Sequence, residues 1–171
     1  MLDAALGLFI LIIGFFLITS SFVEVPQPAQ VSLLSDDLLN FLSVKKIKDL
    51  NNPYAGIGGD LWNSGLITDD DNSLLQQIGE FYAKNQRDIA GEFIGSVSAG
   101  VVPPQFRYEL WVNDGADNVL LYPRVPTAEH TNSKDNTRIL LTSKKITFGV
   151  LNKDTGDIWG PYGAEVYIWE R

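Results

Sequence analysis

The chain contains no cysteine. Structural disulfides, cysteine-ligated zinc and a thiol nucleophile are therefore excluded. Histidine is nearly absent too. The single one, His130, lies in the polar stretch Pro126–Ser133 and reads as a solvated loop residue. A Ser-His-Asp site could use only that imidazole, and no nucleophile-elbow pattern accompanies it. Positive charge is scarce: 13 Lys and Arg stand against 21 Asp and Glu, for a net charge of −8. Nucleic-acid binding needs a basic patch. The only basic clusters, Lys45-Lys46-Lys48 and Lys144-Lys145, are short and read as solvated faces. No N-x-Ser/Thr sequon occurs, so N-glycosylation is not expected.

What the chain does have is one long apolar run at its start. From Ala4 to Val23 there is no charged residue, and the run ends at Glu24-Val25-Pro26-Gln27-Pro28. Twenty residues of helix span roughly 30 Å, about the hydrocarbon thickness of a bilayer. Such a rod must sit in lipid, be removed, or be buried against copies of itself. Only Met1, Leu2 and Asp3 precede it, and the first basic residue is Lys45. The run is longer than the ~7–15 apolar residues of a secretory signal, and no clear A-x-A cleavage pattern follows it. The expectation is a helix retained on the mature protein, its basic leader already removed or its insertion weakly guided by charge. Gly7 and Gly14, spaced by seven, would permit close helix approach on one face. Asp3 would cap the helix or meet a cation of a neighbouring chain.

The remainder is the length of one ordinary domain, rich enough in aromatics to build a core. Pro26 and Pro28 stop or kink the first helix. Residues 29–50 read as helical, with Leu33, Leu34, Leu38, Leu39, Leu42 and Ile47 at helical spacing. Asn51-Asn52-Pro53 ends that helix, and the glycine-rich loop at 54–59 lacks the context of a phosphate loop. Residues 60–67 suggest a short helix. A long amphipathic helix is expected from Leu74 to about 99, stopped by Gly100. After Pro104 the period changes to two. Phe106, Tyr108, Leu110 and Val112 alternate, Asn113-Asp114-Gly115 turns, and 119–122 returns. Residues 123–137 read as a polar loop, 138–150 and 164–169 as strands, and 152–156 as a turn. The predicted class is α+β: an N-terminal hydrophobic helix over 1–25, then a 26–171 head made of a helical half and about four antiparallel strands.

Asp69-Asp70-Asp71 is the best metal candidate. Asp69, Asp71, Ser73 and Glu80 fall at EF-hand offsets, but Leu74 occupies the position where the sharp turn needs glycine. The better reading is a helix N-terminus with a negative first turn, with a weak calcium site as the lesser alternative. Glu80, Glu92, Glu109 and Glu165 could pair in space, which sequence alone does not decide. No motif assigns an enzymatic activity or a cofactor.

The apolar run of residues 1–25, without a basic residue in front and followed by an α+β head ending in antiparallel strands, resembles the type IV pilin-like proteins. The segment Ile158–Trp169 (I-W-G-P-Y-G-A-E-V-Y-I-W) is similar to archaeal surface proteins with such an anchor. Bacterial members commonly carry Glu where this chain has Ala5; its nearest acid is Asp3. The resemblance implies a leader that is cut and a helix that first anchors the subunit in the membrane, then packs into a filament core. The partners so implied are other copies of the chain, the membrane before assembly, and cell-surface contacts. Asp3, Gly7, Phe9, Ile12, Gly14 and Phe16 are the expected assembly residues. The alternative reading is a single-pass membrane-anchored extracellular binding module; a secreted enzyme would require loss of the apolar run.

Overall fold

The computed structural model describes residues 28–137, 140–152 and 155–170. The apolar run, and with it Asp3, Gly7, Phe9, Ile12, Gly14 and Phe16, lies outside the described residues. Among the described residues no helix is long and apolar enough to cross a membrane. Ser32–Arg171 forms one compact unit, and among the described residues the fold is α+β, with five α-helices and a four-stranded antiparallel sheet.

The first helix, α1 (Pro28–Val44), begins on a proline, a residue suited to the first helical position because its missing N–H has no partner to lose there. Leu38, Leu39 and Leu42 are fully buried on one face. The helix stops at Val44 rather than continuing to 50. Beyond it Lys46 bridges Ser73 and a 3-10 turn follows (Ile47–Asp49), with Ile47 N–H donating to the Asn72 carbonyl (3.1 Å) and Leu74 N–H to that of Lys45 (2.9 Å). This pairing accompanies the full burial of Ile47 in the core. Asn52 then organises the loop: its Oδ1 accepts from the N–H groups of Tyr54 and Ala55, and its Nδ2 donates to Ser96 Oγ. The short α2 (Asp60–Asn63) follows.

α3 (Leu74–Ala83) opens with a complete capping box: Ser73 Oγ accepts from Gln76 N–H, and the Gln76 side chain accepts from Ser73 N–H. The single helix expected from 74 to 99 is in fact two. Asn85 adopts φ 57°, in the left-handed region that asparagine tolerates better than most residues. The chain reverses there into α4 (Arg87–Ser98). The break lets Phe81 and Phe93 meet edge to face at 5.5 Å, which a continuous helix would prevent. Gly100 (φ 81°) ends α4 as expected.

The strands are β1 (Phe106–Asn113), β2 (Asn118–Tyr122), β3 (Leu140–Asn152) and β4 (Asp157–Glu170), in the order β2-β1-β4-β3. Tyr108, Leu110 and Val112 of β1 stand opposite Ile168, Val166 and Ala164 of β4. All six are buried and face the core. α3 packs against β3 and β4 on this side, and α4 against β2. β4 starts well before 164, because Ile158 and Trp159 pair with Val150 and Gly149 of β3, and Tyr162 with Thr147. The expected polar loop at 123–137 is also corrected: it contains α5 (Ala128–Asp135), started by Thr127, whose Oγ1 accepts from His130 N–H at 3.1 Å.

Candidate functional site

Strand alternation gives the sheet a second face. Arg107, Glu109 and Trp111 of β1 point away from the core, opposite Trp169, Tyr167 and Glu165 of β4. A solvated face would carry small polar residues; this one carries aromatics, and α5 touches β4 there. α5 is polar along its whole length and buries only His130. It is held by specific side-chain contacts rather than by an apolar stripe.

Glu109 is the centre of those contacts and is only 4 % exposed. Its Oε2 accepts from Trp111 Nε1 at 2.9 Å and from Lys134 Nζ at 2.5 Å. The Lys134 ammonium also lies 5.7, 5.2 and 5.8 Å from the ring centres of Trp111, Tyr167 and Trp169, within cation–π range of all three. His130 Nε2 stands 3.4 Å from Glu109 Oε1, too long for a hydrogen bond of good geometry, and it has no hydrogen bond among the described residues. The His130 ring packs edge-on against Trp169 at 4.7 Å. Trp169 Nε1 donates to Ser133 Oγ at 2.8 Å, and Arg107 pairs with Glu129.

Burial holds the His130 pKa below the ordinary imidazole value. The Glu109 charge acts upward, and Arg107 and Lys134 act downward. Burial thus disfavours the charged ring beside a carboxylate already paired with Lys134. Chemically the cluster is a clasp. A buried charge is acceptable only when paired and hydrogen-bonded, and Lys134 can pair Glu109 only while α5 lies on the sheet. Tyr167 donates to Glu165 at 3.0 Å, with its hydroxyl pKa raised by burial and by that carboxylate. Glu165 is lowered, chiefly by the hydrogen bond from Lys144.

The structure thus brings His130 and Glu109 together but leaves the other carboxylates apart. Glu80 accepts from Lys84 and Asn72, Glu92 from Tyr54, and Glu165 from Lys144. Lys134, Trp111, Tyr167 and Trp169 were not legible as site residues. The available signal was the placing of Trp at alternate, outward strand positions. His130 is not a solvated loop residue but a buried helical one. Lys46 and Lys48 both reach Asp71, at 3.1 and 2.7 Å, and Lys145 reaches Asn40 on α1; these contacts are exposed, so the basic clusters are solvated faces carrying surface pairs.

Oxygen atoms of Asp69, Asp70 and Asp71 lie within 4.8 Å of one another, making them, among the described residues, a group that could hold a metal ion. The EF-hand arrangement is not formed, since Ser73 caps α3 and Glu80 sits buried inside it. The Asp71 carboxyl is held down at about 2 by hydrogen bonds from Lys48 and Lys46, so two ammonium groups already occupy it.

An open cleft of about 600 Å³ lies at the far end of β3 and β4, lined by Asn72, Gln76, Phe148, Val150, Ile158 and Trp159 among others. Trp159 fills the gap between α3 and β3: a Cβ on Gly79 would stand 2.2 Å from its ring, and one on Gly149 2.7 Å. Both glycines are there to let the indole lie flat. The chain matches no protein-family model, no curated protein and no solved structure.

Proposed function

We infer that the protein is a non-catalytic structural subunit of a pilus-like surface filament, polymerising through its N-terminal apolar segment. The observation that carries this reading is the uncharged run from Ala4 to Val23 joined to an acidic α+β head. Many copies of such a segment would bundle into an apolar core. Helix–helix packing would then replace lipid contacts at little net cost, since lipid tails are as apolar as the packed side chains. Gly7 and Gly14 would allow close approach, Phe9, Ile12 and Phe16 would fill the bundle, and Asp3 would meet a neighbouring chain near its amino end. Before assembly the same segment would anchor the subunit in the membrane, with the head on the outer surface.

The head supports the reading in one further way. Its most elaborate polar cluster, around Glu109, has its carboxylate engaged internally by Lys134 and Trp111, as suits a rigid building block. The test is electron microscopy of material sheared from the cell surface, with the chain identified in it by mass spectrometry. Uniform filaments containing the chain with its apolar segment are expected. A chain found only as a dispersed membrane monomer would refute polymerisation and favour an anchored binding module. Gly14→Leu and Asp3→Lys are expected to reduce assembly while leaving the head folded; normal filaments from both would count against the packing role.

A further inference from the structure

The β3–β4 hairpin outruns the rest of the sheet. β1 meets β4 only from Gly163 onward, whereas Asp157, Ile158, Trp159 and Tyr162 pair with β3 alone. On the core side this extension is seated through Trp159 and the buried Thr147. Alternating with the inward positions of β3 stand Ile146, Phe148 and Val150, and Ile158 lies on β4, with 71, 67, 46 and 75 % of their surfaces exposed; Phe148, Val150 and Ile158 also form the rim of the open cleft beside Trp159. Val150 and Ile158 are direct cross-strand partners. Together these side chains form an apolar patch on the order of 500 Å², a size that on a soluble monomer usually marks a contact surface.

Charge identifies what that surface suits. The molecule carries −8, yet residues 146–152 and 158–164 contain no charged side chain. Two acidic heads repel over most of their surfaces and can approach closely only where charge is absent. A basic partner would be met by acidic surface, not by this neutral one. The patch supplies more than half of the ~800 Å² per partner that a specific interface buries. Extension of the sheet is not the mode of contact. Edge strand β3 carries Lys144 and Lys145 and register shifts at Thr147/Gly149 and Val150/Asn152, features that interrupt strand addition.

We propose that this face of the β3–β4 extension, centred on Phe148 and Ile158, is where the head of one subunit packs against the head of a second copy of this chain. The inference rests on the filament reading and names its lateral surface. Side chains from the neighbour cover the four apolar residues, and the charged remainder stays in water.

The absence of cysteine makes a direct test clean. Full-length chain carrying Phe148→Cys or Ile158→Cys is labelled with a benzophenone maleimide, and surface preparations are irradiated. Covalent dimers of the chain are expected from both sites, at least tenfold above those from Ala116→Cys in the β1–β2 turn. A Phe148→Asp/Ile158→Asp double variant should lose filaments while its far-ultraviolet circular dichroism is unchanged. Adducts only to lipid or to other proteins, or normal filaments from the double variant, would overturn the contact; in the latter case the filament reading survives. Self-adducts in membranes without any filaments would uphold the contact and refute the filament.

Discussion

Replacing Lys134 by Met removes the charge that pairs with Glu109 and keeps most of the side-chain volume. The carboxylate left behind is 4 % exposed, and breaking a buried pair from one side costs about 3–5 kcal/mol. Two features reduce that figure here. The Lys134 side chain is 27 % exposed, and Trp111 Nε1 still donates to the carboxylate at 2.9 Å. A loss of about 2–4 kcal/mol is expected, or roughly 10 °C in melting temperature for a head of this size. The pH dependence should weaken as well. In the native chain the pKa of His130 is lowered, so its contribution is present above the unfolded imidazole value near 6.5 and is lost as pH falls below it. In Lys134→Met the downward influence of the lysine is gone, and Glu109 lies 3.4 Å from His130 Nε2 without its cation. Burial, the largest downward cause, remains, so the imidazole pKa moves up toward the unfolded value and the stability lost as pH falls becomes smaller. Thermal unfolding of the full chain in detergent, followed by near-ultraviolet circular dichroism between about pH 5 and 8, reads both effects. A melting temperature unchanged within 2 °C, with the native pH profile, would refute the buried pairing.

Gly79→Ala should destabilise despite the ~1 kcal/mol that alanine gains over glycine in a helix interior, because its Cβ meets the Trp159 ring at 2.2 Å. Combined with Trp159→Ala the same change should become stabilising; denaturant titrations showing no reversal would rule out the indole as the cause. Ser73→Ala removes half of the capping box at α3 and should cost about 1 kcal/mol, again read by denaturant titration; a loss below 0.3 kcal/mol would mean that the cap is dispensable. Millimolar calcium should leave the melting temperature unchanged, since Lys46 and Lys48 already engage Asp71; a clear upward shift would establish a cation site at the acidic run.

Elements set by local chemistry were the legible ones. The alternation Phe106–Val112 and the Asn113-Asp114-Gly115 turn were visible because strand period and turn chemistry are short-range signals. So were the Leu38-Leu39-Leu42 stripe and the start of α3 after the acidic run. The break inside 74–99 was not, because the apolar stripe runs on across it. Lys84-Asn85-Gln86 interrupts nothing a helix would bury, and Phe81 against Phe93 decides the matter from outside the segment. The early start of β4 was hidden for the opposite reason. Gly160 and Pro161 look like punctuation and fall where the ladder shifts register, yet Trp159 and Tyr162 on either side of them pair with β3.

The clasp around Glu109 shows why a site can be invisible when each of its residues is visible. His130, Ser133 and Lys134 lie in a stretch with no apolar periodicity, and such a stretch earns no helix of its own. It becomes a helix because Thr127 caps it and because the sheet offers a carboxylate, an indole N–H and three aromatic faces at the spacing of one helical face. Residues 130, 133 and 134 are the i, i+3 and i+4 positions that share that face. Their partners on β1 and β4 are brought together only by the register Glu109↔Tyr167 and Arg107↔Trp169. Helix and site are therefore one event: α5 forms where its polar side chains find these partners, and Glu109 tolerates burial only once α5 has formed. The same mutual dependence predicts that variants of the clasp should lose α5 and the seating of Trp169 together, while the core face of the sheet, built on Leu110, Val166 and Ile168, keeps its packing.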